Sequence, residues 1–248
     1  LDHAKYAADN YFNVYRMGQI GNRTWLLDDL RGIPINKRGE QEHHCLVTSP
    51  LGFWACEYPS AFSDNKFNGY ELGIIPKGFH LATDDDWQDL EYTYGVKKTD
   101  CSNYAKANMY GEINIKQSME SAIRSGGTYL ENFNKEITDT IKYVGKNKGI
   151  FRSLISEKEW ITNDSLQNII EGSNGFNARP YGSVWSDWIS EGAFHIGTLS
   201  VFLTSTKDPN DSNSQIIRYL WSGNQGIARI SVTEYDEVYY LYRCVKDE

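Results

Sequence analysis

Residues able to carry chemistry are present in this chain, but their spacing gathers few of them. Among its five histidines, His43 and His44 stand beside Cys45, Glu40 and Glu42, the densest set of metal-ligand types. Neighbours on an extended strand point to opposite faces, so His43 and His44 are poorly placed to chelate one ion. A polar loop accounts for them, and no metal or cofactor is expected. His80 and His195 read as hydrogen-bonded structural residues. The nucleophile elbow G-x-S-x-G, the phosphate loop G-x-x-x-x-G-K-[ST] and the zinc motif H-E-x-x-H are all missing. Glycoside hydrolysis needs two carboxylates at a set spatial separation, and 33 acidic residues offer no way to choose them from sequence. Cys45, Cys56, Cys101 and Cys244 lie far apart without a C-x-x-C pair, which removes the usual zinc-ribbon spacing. They could form two disulfides, by any of three pairings, or none.

The bulk composition narrows the partners. A formal net charge of −8 with scattered Lys and Arg argues against nucleic acid, because tracking phosphates needs a basic face. No apolar run approaches the roughly 20 residues needed to span a bilayer. The opening Leu1-Asp2-His3 reads as a trimmed start, with a removed N-terminal segment as a candidate anchor. Aromatic residues reach 14%, a supply that serves cores of strands and also wet binding surfaces.

Several elements must position whatever site exists. Val14-Tyr15-Arg16-Met17 and Thr24-Trp25-Leu26-Leu27 flank a Gly-rich turn, which predicts a hairpin. Thr83-Asp84-Asp85-Asp86 reads as a capping box opening a helix over 83–95, with Gly95 as its stop, so the three acids need no metal. Residues 103–171 look mostly helical and polar; Phe133, Ile137, Ile141 and Val144 recur at helical spacing, and residues 103–150 are expected to form a helical insertion. From Gly175 the pattern predicts strands over 199–204, 216–221, 227–232 and 238–245, separated by turn clusters.

The order of five segments resembles a known family. They are residues 20–26 (IGNRTWL), 78–87 (GFHLATDDDW), 175–182 (GFNARPYG), 203–206 (LTST) and 242–247 (YRCVKD). Together they are similar to the Fibrobacter succinogenes major paralogous domain, whose pattern runs I-G-x-Q-x-W, G-W-H-x-P-T-x-x-E-W, G-F-x-A-x-x-G-G, W-S-S-T and V-R-C-V-x-D. Ala82 and Asp86 depart from that pattern's Pro and Glu. The resemblance implies one α+β domain over 1–248 with a C-type-lectin-like fold, short twisted antiparallel strands and a relationship to the formylglycine-generating enzyme. It also implies a secreted or cell-surface bacterial protein, often a lipoprotein. Trp25, Trp87, Phe176 and Cys244 then belong to the packing skeleton.

The resemblance does not imply catalysis. The cysteine pair of the formylglycine-generating type and the H-x-x-x-H-x-E iron trio of the ergothioneine-synthase type are both missing. The function expected is an adhesin-like binding domain for a glycan or a surface protein; a divergent enzyme or a structural part of a surface assembly are the alternatives. Lectin-like folds bind through a long loop and its neighbouring strands, which implies a ligand face of Arg179, Tyr181, Trp185, Asp187, Trp188, Trp221 and Asn224. Aromatic rings beside polar groups can stack on sugars or anchor a protein. Trp185-Ser186-Asp187 resembles the W-N-D of calcium-dependent lectins, but the companion E-P-N or Q-P-D triplet is missing.

Overall fold

A computed structural model describes residues 5–30, 45–48, 53–57, 62–63, 66–67, 73–96, 143–144, 150–157, 159–162, 165–170, 172, 175–181, 184–185, 197–222, 226–233 and 238–248. In chain order the strands begin with β1 (Lys5–Ala8), β2 (Val14–Ile20), β3 (Arg23–Leu26), β4 (Cys45–Thr48) and β5 (Phe53–Glu57). They continue with β6 (Phe62–Ser63), β7 (Lys66–Phe67) and β8 (Phe79–Leu81), followed by helix α1 (Asp84–Thr93). Strand β9 (Tyr143–Val144), helix α2 (Ile150–Leu154) and strands β10 (Trp160–Thr162), β11 (Ser165–Ile170) and β12 (Val184–Trp185) follow. The last strands are β13 (Leu199–Asp208), β14 (Asp211–Trp221), β15 (Gly226–Thr233), β16 (Val238–Tyr242) and β17 (Cys244–Lys246).

These strands build two principal sheets. The smaller has the order β1-β2-β3-β17-β8. The larger runs β4-β5-β16-β13-β14-β15-β9, with β12 also on β16. The two short hairpins β6–β7 and β10–β11 stand apart. The chain crosses from the larger sheet to the smaller at Arg243, between β16 and β17.

The α+β lectin-like fold expected from the family resemblance is corrected here. The protein is mostly β, with a curled antiparallel half-barrel sheet and a second sheet. Long local hairpins explain the difference: Leu199 pairs with Trp221 and, across the next ladder, Trp221 pairs with Gly226. The middle of the chain also departs from its helical reading. Trp160–Thr162 pairs with Ser165–Ile170 as a hairpin, where β-branched and aromatic residues favour strands. Tyr143–Val144 joins the main sheet beside β15, so the helix read toward Val144 does not extend to that residue. Apart from these two residues and Ile150, the proposed insertion over 103–150 lies outside the described residues.

Other local readings hold. The β2–β3 hairpin closes between Ile20 and Arg23. Gly21 at its turn has φ +59, a left-handed conformation that favours glycine, and a Cβ there would press on the Thr93 side chain. Thr83 and Asp86 form the full capping box of α1, each side chain bonding the other's backbone.

One core draws on both sheets and both helices. Trp25, Trp87, Phe176 and Phe202 are each fully buried. Trp25, Trp87 and Phe176 meet edge-on at 5.2–5.5 Å between ring centroids, and Phe202 tilts against Trp87 at 5.3 Å. Such contacts contribute about 0.5–1.5 kcal/mol per pair beyond the burial itself. Beside them Arg218, with no exposed side-chain surface, pairs with Asp84 and Glu91 at 2.7 Å each, tying α1 to β14. Arg229 on β15 grips Asp84 with two bonds of 2.7 Å. Burial opposes the charge on Asp84, yet the two guanidiniums hold its carboxyl well below the usual range.

Candidate functional site

The segment 176–181 is fixed from several sides. Ala178 forms a parallel bridge with Ile155, and its carbonyl accepts from Trp160 Nε1 at 2.8 Å. The Pro180 carbonyl accepts from Gly197 N at 2.8 Å, and the Arg179 carbonyl accepts from Ser200 Oγ. Arg243 completes the frame from beneath. Its Nε donates to Asp29 Oδ1 at 2.6 Å, and its other nitrogens donate to the carbonyls of Leu26, Phe176 and Asn177 at 2.9–3.1 Å. The guanidinium also lies 4.5 Å from the centre of the Phe176 ring, a cation–π distance. Asn177 occupies the left-handed region at φ 57, a conformation Asn tolerates better than most residues.

This frame presents Arg179 half-buried, with Tyr181 buried beneath it. Arg179 donates to the Tyr181 hydroxyl at 3.2 Å and lies 3.5 Å from Glu159 Oε2. Its Nε nevertheless has no hydrogen-bond partner among the described residues. Burial pushes the Tyr181 phenol up to about 12, so it stays a neutral acceptor for the arginine. Arg16 pairs with Asp28 at 2.7 Å. Against burial, the hydrogen bonds from Arg16 hold Asp28 below its usual range. The charge of Arg179 reaches Arg16, which places the two arginines within electrostatic range of one another.

The β1–β2 ribbon extends this surface with apolar groups. Its loop is built on Asp9, whose Oδ1 accepts from the backbone of Tyr11 and Asn13 at 2.9 and 3.0 Å. Asp9 Oδ2 accepts from Asn13 Nδ2 and from the Tyr15 hydroxyl at 2.8 and 2.9 Å. This scaffold holds Phe12 in the left-handed region at φ 65, 89% exposed. Tyr6, Tyr11 and Val14 are exposed beside it. Tyr6 is opposite Arg16 and Ala8 opposite Val14, and directly opposed residues share a face. Tyr6 and Val14 therefore share a face of the ribbon with Arg16, and the loop bearing Tyr11 and Phe12 closes its end.

Of the expected ligand face, the structure describes the side chains of Arg179 and Tyr181. Trp185 pairs with Val238 where β16 begins, and Trp221 pairs with Leu199 where β13 begins. Strands β13 and β16 run parallel, so both tryptophans are placed at the same end of the larger sheet, near Ser200 and its bond to Arg179. Asp187, Trp188 and Asn224 lie outside the described residues, as do His43, His44 and His195. Tyr181, at 7% exposure, supports Arg179 and offers little surface of its own.

The structural assignments of Trp25, Trp87, Phe176 and Cys244 hold, since all four are fully buried. His80 is a hydrogen-bonded structural residue, 2.8 Å from Asp247 and 3.1 Å from Asp86. Sequence reading passed over Tyr6, Tyr11, Phe12 and Val14. A usable signal was present in Asp9-Asn10-Tyr11-Phe12-Asn13, where Asp and Asn can fold the backbone onto their own side chains and push intervening residues outward.

No helix among the described residues is long and apolar enough to cross a membrane. No curated protein and no solved structure matches the chain. The Fibrobacter succinogenes major domain model matches residues 2–246, nearly its whole length. The five ordered segments and this match agree: the chain belongs to the Fibrobacter succinogenes major domain family.

Proposed function

We propose that the chain is a non-catalytic binding module of a secreted or surface-attached bacterial protein, held at the cell by a lipid anchor and recognising a surface protein or glycan. The observation that carries this reading is Phe12, a large apolar ring almost fully exposed on a loop that its Asp9 scaffold holds in a disfavoured backbone conformation. Such strain persists where the surroundings enforce it, and it concentrates at functional positions. Tyr6, Tyr11 and Val14 widen the contact, while Arg16 and Arg179 give it a charged rim. An apolar centre with an arginine-bearing rim is the usual anatomy of a protein-binding patch. The Phe12 ring can stack on a sugar's C–H face, but neither it nor Val14 can hydrogen-bond the hydroxyls that distinguish sugars, so a protein ligand is favoured over a glycan.

Screening the purified chain against panels of surface proteins and glycans tests this directly. Phe12→Ala and Arg179→Ala should each weaken binding to the ligand found by about thirtyfold, the equivalent of about 2 kcal/mol for an anchor residue. Phe12→Ala should leave the unfolding midpoint unchanged. Wild-type affinity in both variants would refute the site.

A further inference from the structure

Strands β4 and β5 bring two of the four cysteines into register: Cys45 and Cys56 are direct partners across an antiparallel pair. Directly opposed residues in such a ladder have Cα atoms about 4.5 or 5.5 Å apart and share one face of the sheet. Both spacings fall within the window of about 4.4–6.8 Å that a disulfide spans. We propose that Cys45 and Cys56 form a cross-strand disulfide.

The position gives the bond a mechanical purpose. Among the described residues β4 is the outermost strand on its side of the larger sheet, joined to it through β5. β5 in turn meets β16 through Cys56 opposite Tyr240 and Glu57 opposite Tyr239. Edge strands are easily lost and readily recruit foreign strands. A bond from β4 to β5 at Cys45–Cys56 staples the edge onto the strand that contacts the sheet's interior. Cys244 is no competitor, because it is fully buried in β17 of the other sheet. Burial also pushes its thiol up, and the thiolate is the species that reacts.

Oxidised glutathione supplies a balanced route. The thiolate of one cysteine attacks its disulfide, forming a mixed disulfide and releasing one glutathione. The second cysteine thiolate then attacks the protein sulfur of that mixed disulfide, forming the Cys45–Cys56 bond and releasing the second glutathione. The two protein thiols lose two electrons and two protons; the glutathione disulfide gains them.

Peptide mapping decides the matter. The purified 248-residue chain is incubated with oxidised glutathione, denatured, alkylated with iodoacetamide and digested with trypsin. Cleavage after Arg38 and Lys66 places Cys45 and Cys56, and no other cysteine, in the peptide 39–66. That peptide should emerge unalkylated and lighter by two hydrogens than its reduced form. Dithiothreitol added before alkylation should restore two alkylation sites to it. In Cys45→Ser, Cys56 should remain alkylatable or carry one glutathione. A wild-type peptide 39–66 that is alkylated at both cysteines, carries two glutathiones, or is joined to the peptide bearing Cys101 would overturn the proposal. The wild-type map is sufficient even if Cys45→Ser fails to fold.

Discussion

Removal of Arg243 should cost the described fold heavily. Its side chain has no exposed surface, yet it makes four hydrogen bonds and lies over an aromatic ring. Replacing it with Leu leaves the Asp29 carboxyl buried without its partner, and leaves the carbonyls of Leu26, Phe176 and Asn177 without these donors. Breaking a buried ion pair from one side costs about 3–5 kcal/mol. The abandoned carbonyls act in the same direction, at about 1–3 kcal/mol for each one left unsatisfied, though such terms do not add in full. A loss of about 4 kcal/mol is therefore expected, a large share of the roughly 5–15 kcal/mol that holds a domain together. Arg243→Lys keeps the charge but loses the planar fork that reaches four acceptors at once, so it should still cost about 2 kcal/mol. Asp29→Leu added to Arg243→Leu should recover about 1 kcal/mol or more, because the stranded carboxyl disappears. Urea unfolding followed by tryptophan fluorescence and by far-ultraviolet circular dichroism would measure each value, provided the two transitions coincide. A loss below about 1 kcal/mol for Arg243→Leu, or full stability in Arg243→Lys, would refute the reasoning.

Three further outcomes are expected. Thr83→Ala, which removes the side-chain half of the α1 capping box, should destabilise by about 1 kcal/mol in the same assay, while Thr83→Ser should restore most of the loss. The hydrogen bond to Asp86, against burial, and then the one to Asp247 raise His80 above its ordinary value of about 6.5; its stabilising contribution is full below that value and is lost as pH rises through the raised one. Melting temperatures of wild type and His80→Gln should therefore converge above that window and separate between about pH 5 and 6.5; a constant gap would contradict the linkage. Phe12→Gly should stabilise the chain by about 1 kcal/mol in urea, because glycine accepts φ 65 without the side-chain penalty, while the same variant should lose binding.

Local signals were legible in the sequence and distant pairings were not. The Gly21 turn, the Thr83–Asp86 box and the β13–β14 hairpin each depend on residues close together in the chain. By contrast, β17 pairs with β3 and β8, and β13 lies parallel to β16; no local pattern encodes such partners, so the fold class borrowed from a resemblance failed. Residues 160–170 misled for a related reason, since their polar surroundings hid a hairpin whose register only the folded chain reveals. Charge misled in one direction and aromaticity in the other. Arg218 and Arg243 would ordinarily be assigned to solvent, yet both are buried against carboxylates or carbonyls of elements distant in the chain. Phe12 would ordinarily be assigned to the core, yet it stands in solvent on a loop hydrogen-bonded to Asp9. The buried arginines are explained by their partners: Arg243 donates four hydrogen bonds, and Arg218 pairs with Asp84 and Glu91. Phe12 has no such explanation among the described residues: it costs backbone strain and exposes apolar surface at once. Where a residue breaks its local rule without compensation inside the fold, the compensation is sought outside it. Under the proposed function, that compensation is a partner docked on the β1–β2 loop, with Arg179 of the segment 176–181 at its charged rim.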